Sequence, residues 1–475
     1  MQAEREVLKA LRRENKDVWS RLWSIEQDAQ FVNDVCDTYY PLPLIANMRC
    51  GAWYTPPDRV AATSYFKSTD GHMHQWDFSL KRANLHLVDI LQPPASSDGE
   101  RSALTGCILV DSTRRGKRYP DALAKTVPIW CAVLNRASAA RYHTPTADIP
   151  LAVPAEAVSE SERAQIEARL AHWTKAFLAS DYTVPRLEKP LCPLFAHPGA
   201  VPPIPPACAE QVHHVVLASV SSVDEVAGAY GATYVQGAGD DHESWALGLT
   251  PDVFWRNRSR LLDPHLERTD REALVRTLVA QRESETHGKI PWLPQDSDDV
   301  IRIGATRLVA VQRPVDHVFG PEERNAYALL VHSSRAAAGG DDADPRVLYL
   351  GIPEGKRGLN DFAHALPRVV DAATEALVET DAGDRREVLI CGADGYHVPG
   401  ALLIAILAAS FDERRALITS PAARHAHRRS LSKDETRRRL QWVVGASEQI
   451  SPSRAHLQRV NAALIGPHAT IANGQ

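Results

Sequence analysis

Apolar and polar residues follow two different periods in the amino-terminal half of the chain. Helical spacing of apolar residues predicts a helix over 4–36. Short apolar runs that end in polar residues predict buried strands at 104–112 and 213–222. Segment 39–57 has prolines and aromatic residues without a period, which predicts an irregular covering segment. The proline-rich stretch 189–206 predicts an extended surface connection.

The pattern changes from about residue 300 onward. Strand-like runs such as 306–312 alternate with apolar helices such as 361–379, in which Pro367 is expected to kink the helix or start its main part. Repeated strand–helix alternation predicts βαβ units and a mainly parallel sheet. The predicted fold class is therefore α/β. A mixed α+β domain of unassigned fold is expected over 1–300 and a three-layer α/β domain over 301–475.

Composition narrows the class of protein. The chain has 475 residues, 44% of them hydrophobic, and a net charge of −5, which excludes a uniformly basic nucleic-acid coat but permits local basic patches. Seven scattered cysteines without a C-x-x-C pair argue against a zinc ribbon or a disulfide framework. The chain start lacks a secretory apolar region, and the longest apolar run, 398–411, is too short to span a bilayer. We expect a soluble cytoplasmic protein with no membrane partner.

The stretch VDSTRRGKRYPDALAKTVPIW, residues 110–130, follows a predicted buried strand and is strongly basic. Polar residues directly after such a strand lie where α/β proteins bind ligands. Basic donors beside a glycine suit phosphate oxygens, although a solvated turn is the alternative. Asp111, at the start of the stretch, could orient a base or hold a metal ion through water. The predicted anion-binding residues are Ser112, Thr113, Arg114, Arg115, Gly116, Lys117, Arg118 and Lys125.

A second polar turn, within 65–79, repeats this composition. Lys67, Ser68 and Thr69 offer one cation and two hydroxyls, and an Asp-Gly pair follows them. Asp70 and His72 could serve as a metal contact and a general base, because histidine titrates near neutrality. The alternative is a hydrogen-bonded turn with Asp-Gly at its tip.

A third polar cluster occurs in GAGDDHESW, residues 237–245. Its Asp240, Asp241, His242 and Glu243 could hold a divalent cation or position a hydroxyl. An acidic cap at the start of a helix explains the cluster equally well.

The segment 388–405 has the layout of a cysteine-phosphatase loop, in which a strand, a cysteine, a glycine-containing turn and a buried helix follow one another. Its loop residues are Cys391, Gly392, Asp394, Gly395 and His397. Phosphatase chemistry requires an arginine six residues after the cysteine, and His397 stands there instead. An anion-binding loop or a plain scaffold is therefore the better interpretation.

Basic residues are concentrated after residue 420. Basic residues are denser here than in the chain as a whole, which is typical of segments that contact a phosphate backbone. Acidic residues interrupt the basic run, and an ordinary solvated face is the alternative. The predicted nucleic-acid-binding residues are Arg424, Arg428, Arg429, Lys433, Arg437, Arg438, Arg439 and Arg454.

Four motifs together resemble a known family. YFKSTDGH, VDSTRRGKRYPDALAKTVPIWCAVLNR, the degenerate CGADGYHVPGALL and SPSRAHLQRVNAAL are similar to the fungal and plant initiator-tRNA ribosyl phosphate transferases, over nearly the whole chain. The resemblance implies a distinctive amino-terminal domain and a carboxyl-terminal domain like dual-specificity phosphatases. It also implies transfer of 5-phosphoribosyl from phosphoribosyl pyrophosphate to the 2′-OH of adenosine 64 in the T stem of initiator methionyl tRNA.

Roles for the motif residues follow from this resemblance. The donor phosphates are expected on Lys67, Arg114, Arg115 and Lys117, with further contacts from the two motifs. Asp70 or Asp111 is expected to contact Mg²⁺ or the ribose hydroxyls. Asp111, Asp70 or His72 is expected to act as the base, and the basic carboxyl-terminal residues to bind tRNA. A monomer is expected.

One departure and two alternatives accompany this prediction. Ordinary phosphoribosyltransferases have two acids after the strand, whereas ILVDSTRRGKR has one and is more basic, so their fold is not transferred to the first domain. The alternatives are a phosphatase acting through Cys391 and a non-catalytic tRNA-binding protein.

Overall fold

The chain folds into two compact units, which divide between Glu283 and Ser284. The computed structural model describes residues 17–48, 50–92, 104–114, 116–144, 146, 149–224, 226–285, 300–336, 344–353, 357–380, 386–393, 396–447, 450 and 452–465. The first part of the helix predicted over 4–36, up to residue 16, lies outside these residues.

A five-stranded sheet forms the centre of the first unit. Its strands, in the spatial order β2-β1-β3-β5-β4, all run parallel. The bounds are β1 Leu44–Asn47, β2 Val60–Ser64, β3 Gly106–Asp111, β4 Leu191–Ala196 and β5 His213–Ser219. The two predicted strands 104–112 and 213–222 are confirmed as β3 and β5, which lie next to each other.

Every residue of β3 is buried, because helices pack on both faces of this sheet. Cys107 and Leu109 contact one apolar cluster, whereas Ile108 and Val110 contact another on the opposite face. The helices are α1 Val18–Thr38, α2 Gly51–Tyr54, α3 His86–Leu91, α4 Val127–Tyr142, α5 Glu160–Leu178, α6 Pro206–Ala209, α7 Pro251–Arg256, α8 Arg258–Leu261 and α9 Arg268–Glu285.

The connections that follow β1 and β3 lead to opposite sides of the sheet, so a topological switch point lies between these two strands. Helix α2, after β1, packs on one face of the sheet, and helix α4, after β3, packs on the other. A crevice outside such a switch point is where open α/β sheets bind ligands. Helix α2 approaches β3 so closely that a side-chain Cβ at Gly51 would lie 2.2 Å from the carbonyl oxygen of Val110.

Two sequence interpretations were wrong. Segment 39–57 contains the central strand β1, whose four residues are buried on both faces and therefore show no polar alternation. The connection predicted over 189–206 contains β4, which pairs only with β5. Pro193 is tolerated in β4 because an edge strand has one side without ladder partners.

The second unit also has a five-stranded sheet, in the order β6-β7-β10-β8-β9. Strand β6 is antiparallel to β7 and the other pairs are parallel. The bounds are β6 Ile301–Arg302, β7 Leu308–Gln312, β8 Tyr327–His332, β9 Val347–Tyr349 and β10 Glu387–Gly392. The α/β class predicted for the chain is confirmed.

Most helices of the second unit pack with one face of its sheet in a large apolar cluster. The helices of the second unit are α10 Pro321–Ala326, α11 Leu359–Glu379, α12 His397–Ser410, α13 Pro421–Ser430, α14 Lys433–Ala446 and α15 Arg454–Leu464. Pro367 lies inside α11 and does not begin it. Within the described parts of the two units, no helix is both long and apolar enough to cross a membrane.

Candidate functional site

Three strand ends meet at the switch point of the first sheet. Asn47 ends β1, Ser64 ends β2 and Asp111 ends β3, and all three side chains are buried. The Asn47 amide donates to Asp111 Oδ2 at 2.8 Å, and Ser64 Oγ donates to Asn47 Oδ1 at 3.1 Å. Asp111 Oδ1 accepts from the backbone N–H of Ser112 at 2.9 Å. The first predicted motif therefore begins with an oriented, hydrogen-bonded carboxyl group.

The two predicted motifs lie against each other. The turn Ser68–Gly71 packs on a single π-helical turn, Ala122–Thr126, which precedes α4. Ser68 Oγ accepts from the backbone N–H of Ala122 at 3.3 Å. A Cβ at Gly71 would lie 2.5 Å from the carbonyl oxygen of Asp121, so only glycine allows this approach. Residues from two distant stretches thus form one site, next to a π-turn of the kind frequent at functional sites.

Asp121 links both motifs through its carboxylate. Its oxygens lie 3.2 Å from the ammonium nitrogens of Lys117 and Lys125 and 3.5 Å from His72 Nε2. Lys125 is buried and also lies 3.1 Å from Glu162. Lys125 is therefore held between two carboxylates inside the fold, whereas the side chains of Lys117 and His72 are largely exposed.

The third polar cluster lies against the basic loop. Arg114 Nε is 3.3 Å from Asp240 Oδ2, and another guanidinium nitrogen bonds the Asp241 carboxylate, which raises the pKa of Arg114. Gln236 accepts from the N–H of Gly116 at 2.7 Å and donates to the carbonyl of Lys117 at 2.8 Å. These acids hold an arginine of the predicted phosphate loop.

The rest of the basic loop runs along the carboxyl edge of the sheet. The carbonyl of Arg118 accepts from Ser219 Oγ, at the end of β5, at 2.6 Å. The Arg118 guanidinium lies 3.1 Å from Glu156 and contacts His197, which follows β4. Ser112 and Thr113 are buried at the start of the loop. Arg115 lies outside the described residues.

Asp70 has a different environment from Asp111. Its Oδ2 is 2.7 Å from Arg82, whose guanidinium stacks on the Tyr65 ring. Lys67, by contrast, is half-buried and has no carboxylate partner among the described residues. Within the described parts of the chain, no three His, Cys, Asp or Glu side chains are arranged to hold a metal ion.

A buried acid supports the loop that carries the third cluster. Asp28, on α1, accepts from Tyr234 Oη at 2.7 Å and from Ser221 Oγ at 3.1 Å. Ser221 Oγ in turn accepts from the N–H of Gly237, at the start of that cluster. Burial raises the pKa of Asp28 to about 8.

This raised pKa predicts a pH dependence of stability. Between about pH 4 and pH 8 the folded state retains a proton that the unfolded state releases, so stability falls as pH rises through this window. We expect Asp28→Asn to lose much of the decline in urea midpoint that the unaltered chain shows between pH 5 and pH 8, followed by tryptophan fluorescence. The exposed Asp58→Asn should keep the decline, and equal pH slopes for both variants would contradict the assignment.

Cys391 is not placed to act as a nucleophile. Along β10, Val388 and Ile390 face the cluster that contains α12, whereas Leu389 and Cys391 face the smaller cluster around Phe319. The thiol is fully buried, and burial raises the pKa of Cys391 far above its ordinary value. The phosphatase alternative therefore has no support from this geometry. Gly392 is buried, His397 begins α12, and Asp394 and Gly395 lie outside the described residues.

The predicted nucleic-acid-binding residues divide by exposure. Arg439 is fully buried, donates to the carbonyl of Phe411 at 3.0 Å and stacks on Trp442, so the structure removes it from the predicted surface. Arg428 is mostly buried and pairs with Asp371. Four members are exposed, Arg429, Lys433, Arg437 and Arg454. Two are partly exposed, Arg424, which bonds backbone carbonyls, and Arg438, which pairs with Glu413.

Sequence reasoning missed several residues that organise the site. Asn47 had a usable signal, because it is a polar residue at the end of a short apolar run. Asp121 also had one, because it lies four positions from both Lys117 and Lys125. Glu162 and Gln236 had none, since their contacts span 37 and 120 positions of the chain. Fold and site together define a two-unit α/β protein in which a basic loop lies along the carboxyl edge of the first sheet.

Comparisons identify the family. Models of the Rit1 N-terminal domain and the Rit1 DUSP-like domain match residues 11–280 and 346–464. The chain is 30% identical to tRNA A64-2′-O-ribosylphosphate transferase of Saccharomyces cerevisiae, over 97% of this chain and 94% of that protein. It is 32% identical to an uncharacterized protein of Schizosaccharomyces pombe, over 95% of each chain. No solved structure matches significantly.

The chain therefore belongs to the Rit1 family, and the predicted resemblance is confirmed. It is an enzyme of the pentosyltransferase kind.

Proposed function

We propose that this enzyme transfers 5-phosphoribosyl from phosphoribosyl pyrophosphate to the 2′-OH of adenosine 64 in the T stem of initiator methionyl tRNA. The name of the Saccharomyces cerevisiae relative supports tRNA as the acceptor. The observation that carries the proposal is the docking of the two basic, hydroxyl-containing motifs at the switch point of a parallel sheet. The proposed enzyme acts as a monomer in the cytoplasm and excludes its tRNA product from elongation.

The donor requires at least two anion sites, one for its pyrophosphate and one for its 5′-phosphate. Lys67 and Lys117 supply cations on the two docked motifs. Arg114 is already held by two carboxylates, which present oxygens to its guanidinium much as phosphates would. In this proposal the donor phosphates take over Arg114 from Asp240 and Asp241.

Asp111 is the proposed acid–base residue. The acceptor 2′-oxygen attacks C1 of the ribosyl group, the bond from C1 to the pyrophosphate oxygen breaks, and pyrophosphate leaves with the electron pair. The 2′-OH proton passes to the Asp111 carboxylate. Asp70 and His72 are less suited, because Asp70 bonds Arg82 and His72 is an exposed partner of Asp121.

Magnesium is proposed to enter as a complex with the donor pyrophosphate. Mg²⁺ is usually held by one or two carboxylates together with substrate phosphates and does not need an all-protein cage. The described residues hold no group of three His, Cys, Asp or Glu side chains around such an ion, which agrees with an ion held mainly by the donor phosphates. The ion would neutralise the charge that develops on pyrophosphate.

The tRNA platform is proposed to be the exposed basic side chains of the second unit. An A-form stem shows its 2′-OH groups in a wide, shallow minor groove, which proteins recognise by shape and by phosphate contacts. Arg429, Lys433, Arg437 and Arg454 have the exposure needed for phosphate contacts.

The direct test is label transfer. Purified chain, initiator methionyl tRNA, Mg²⁺ and phosphoribosyl pyrophosphate labelled in its 5-phosphate should give labelled tRNA, with the label lost when the 2′-OH of adenosine 64 is replaced by hydrogen. Elongator methionyl tRNA should accept much less label. Absence of label in initiator tRNA would refute the transferase proposal, and equal labelling of both tRNAs would refute the acceptor specificity alone.

A further inference from the structure

The side chain of Asn47 makes an unusually complete set of contacts. It is 2% exposed and lies at the end of β1. Its Nδ2 donates to the carbonyl oxygen of Phe66 at 2.9 Å and to Asp111 Oδ2 at 2.8 Å. Its Oδ1 accepts from the N–H of Phe66 at 2.8 Å and from Ser64 Oγ at 3.1 Å. These four bonds use the two donors and two acceptors of an amide, which fixes its orientation.

These contacts join the two donor motifs physically. Strand β1 lies between β2 and β3, so a side chain at its carboxyl end reaches the loops that follow both neighbours. Asn47 pairs with both backbone groups of Phe66, directly before Lys67, and with the carboxylate that begins the basic loop. An apolar residue here would leave the backbone of Phe66 without these partners and Asp111 without one of its donors.

We propose that Asn47 is the positioning residue of the transferase site. It fixes the Asp111 carboxylate at a set distance from the segment that carries Lys67, so that the acid–base group and a donor-binding cation keep their relative place. This inference rests on the proposed function and deepens it, because it names how the base is held. Asn47 itself does not need to touch substrate.

A double replacement separates positioning from simple packing. Asn47→Ala removes the amide that donates to Asp111 Oδ2 at 2.8 Å. We expect this replacement to lower kcat roughly 10–100-fold. If Asn47 acts through Asp111, the same replacement should change kcat less than about threefold in a chain that already carries Asp111→Asn, because residues that act as a unit are not additive. A merely structural role would lower kcat by the same factor in both chains.

Ser64→Ala is the matched control. It removes the hydrogen bond to Asn47 Oδ1 and keeps the contact between Asn47 and Asp111. Its kcat should therefore stay much closer to that of the unaltered chain. A loss of kcat in Ser64→Ala equal to that in Asn47→Ala would mean general loosening and would overturn the inference.

Asn47→Ser keeps the test decisive if Asn47→Ala fails to fold, as measured by circular dichroism. The shorter side chain retains one hydroxyl but cannot replace all four bonds of the amide, so the same dependence on Asp111 is expected. Equal losses of kcat with and without Asp111→Asn would overturn the inference. Absence of transfer by the unaltered chain would refute the proposed function and this inference with it, whereas an active chain whose kcat is unaffected by replacing Asn47 refutes the inference alone.

Discussion

Replacing Asp111 by Asn is expected to lower kcat for label transfer by roughly 10²–10⁴-fold, the range typical of a lost general base. The side chain keeps its shape, and its amide oxygen can still accept from Asn47 Nδ2, so the fold should persist. Binding of tRNA should be unchanged, because the exposed basic residues proposed to carry it belong to the second unit. Transfer should be followed in single turnover, and tRNA binding by filter retention.

Asp70→Asn distinguishes the two candidate acids. The Asp70 carboxylate is engaged by Arg82, on a turn that follows the edge strand β2. Its replacement should reduce transfer less than Asp111→Asn and should mainly lower stability. If Asp70→Asn abolished transfer while Asp111→Asn stayed active, the base would have to be reassigned to the turn Ser68–Gly71.

The sequence predicted those strands and helices whose burial leaves a readable pattern. Strand β3 is a six-residue apolar run that ends in an acid, and α12 is apolar all round, so both were predicted correctly. Strand β1 has only four residues between prolines and no polar side, and β4 contains a proline, so both were interpreted as irregular segments. Short buried strands lack the alternation on which such prediction depends.

The two polar motifs could be read from the sequence, but the partners of their side chains in the fold could not. The two motifs were expected to cooperate, and the structure docks them through Gly71 and Ser68. That Arg114 would be held by Asp240 and Asp241 was not readable, because these residues are more than 120 positions apart. The sequence shows which chemical groups a charged side chain can bind, whereas the fold determines which of these groups lie within its reach.

The fold also decides which of the arginines predicted to bind tRNA are accessible. Arg439 lies within a dense run of arginines, yet its guanidinium is buried against Trp442 and lies 3.5 Å from Glu435. Removing one partner from a buried ion pair typically costs about 3–5 kcal/mol. We therefore expect Arg439→Ala to destabilise the second unit by about that amount in urea unfolding. Any tRNA affinity that it loses should return under conditions in which the unit is fully folded.

The exposed set should behave in the opposite way. Arg429→Ala, Lys433→Ala and Arg437→Ala combined should leave unfolding nearly unchanged, because these side chains are exposed, and the Arg437 side chain is 60% exposed beside Asp434. The triple variant should weaken tRNA binding roughly tenfold at 0.1 M salt and reduce the slope of log affinity against log salt by about two, since each lost phosphate contact removes about 0.7–0.9. Unchanged affinity and slope would move the tRNA platform away from α13 and α14. A loss of stability equal to that of Arg439→Ala would show that the exposed residues serve the fold instead.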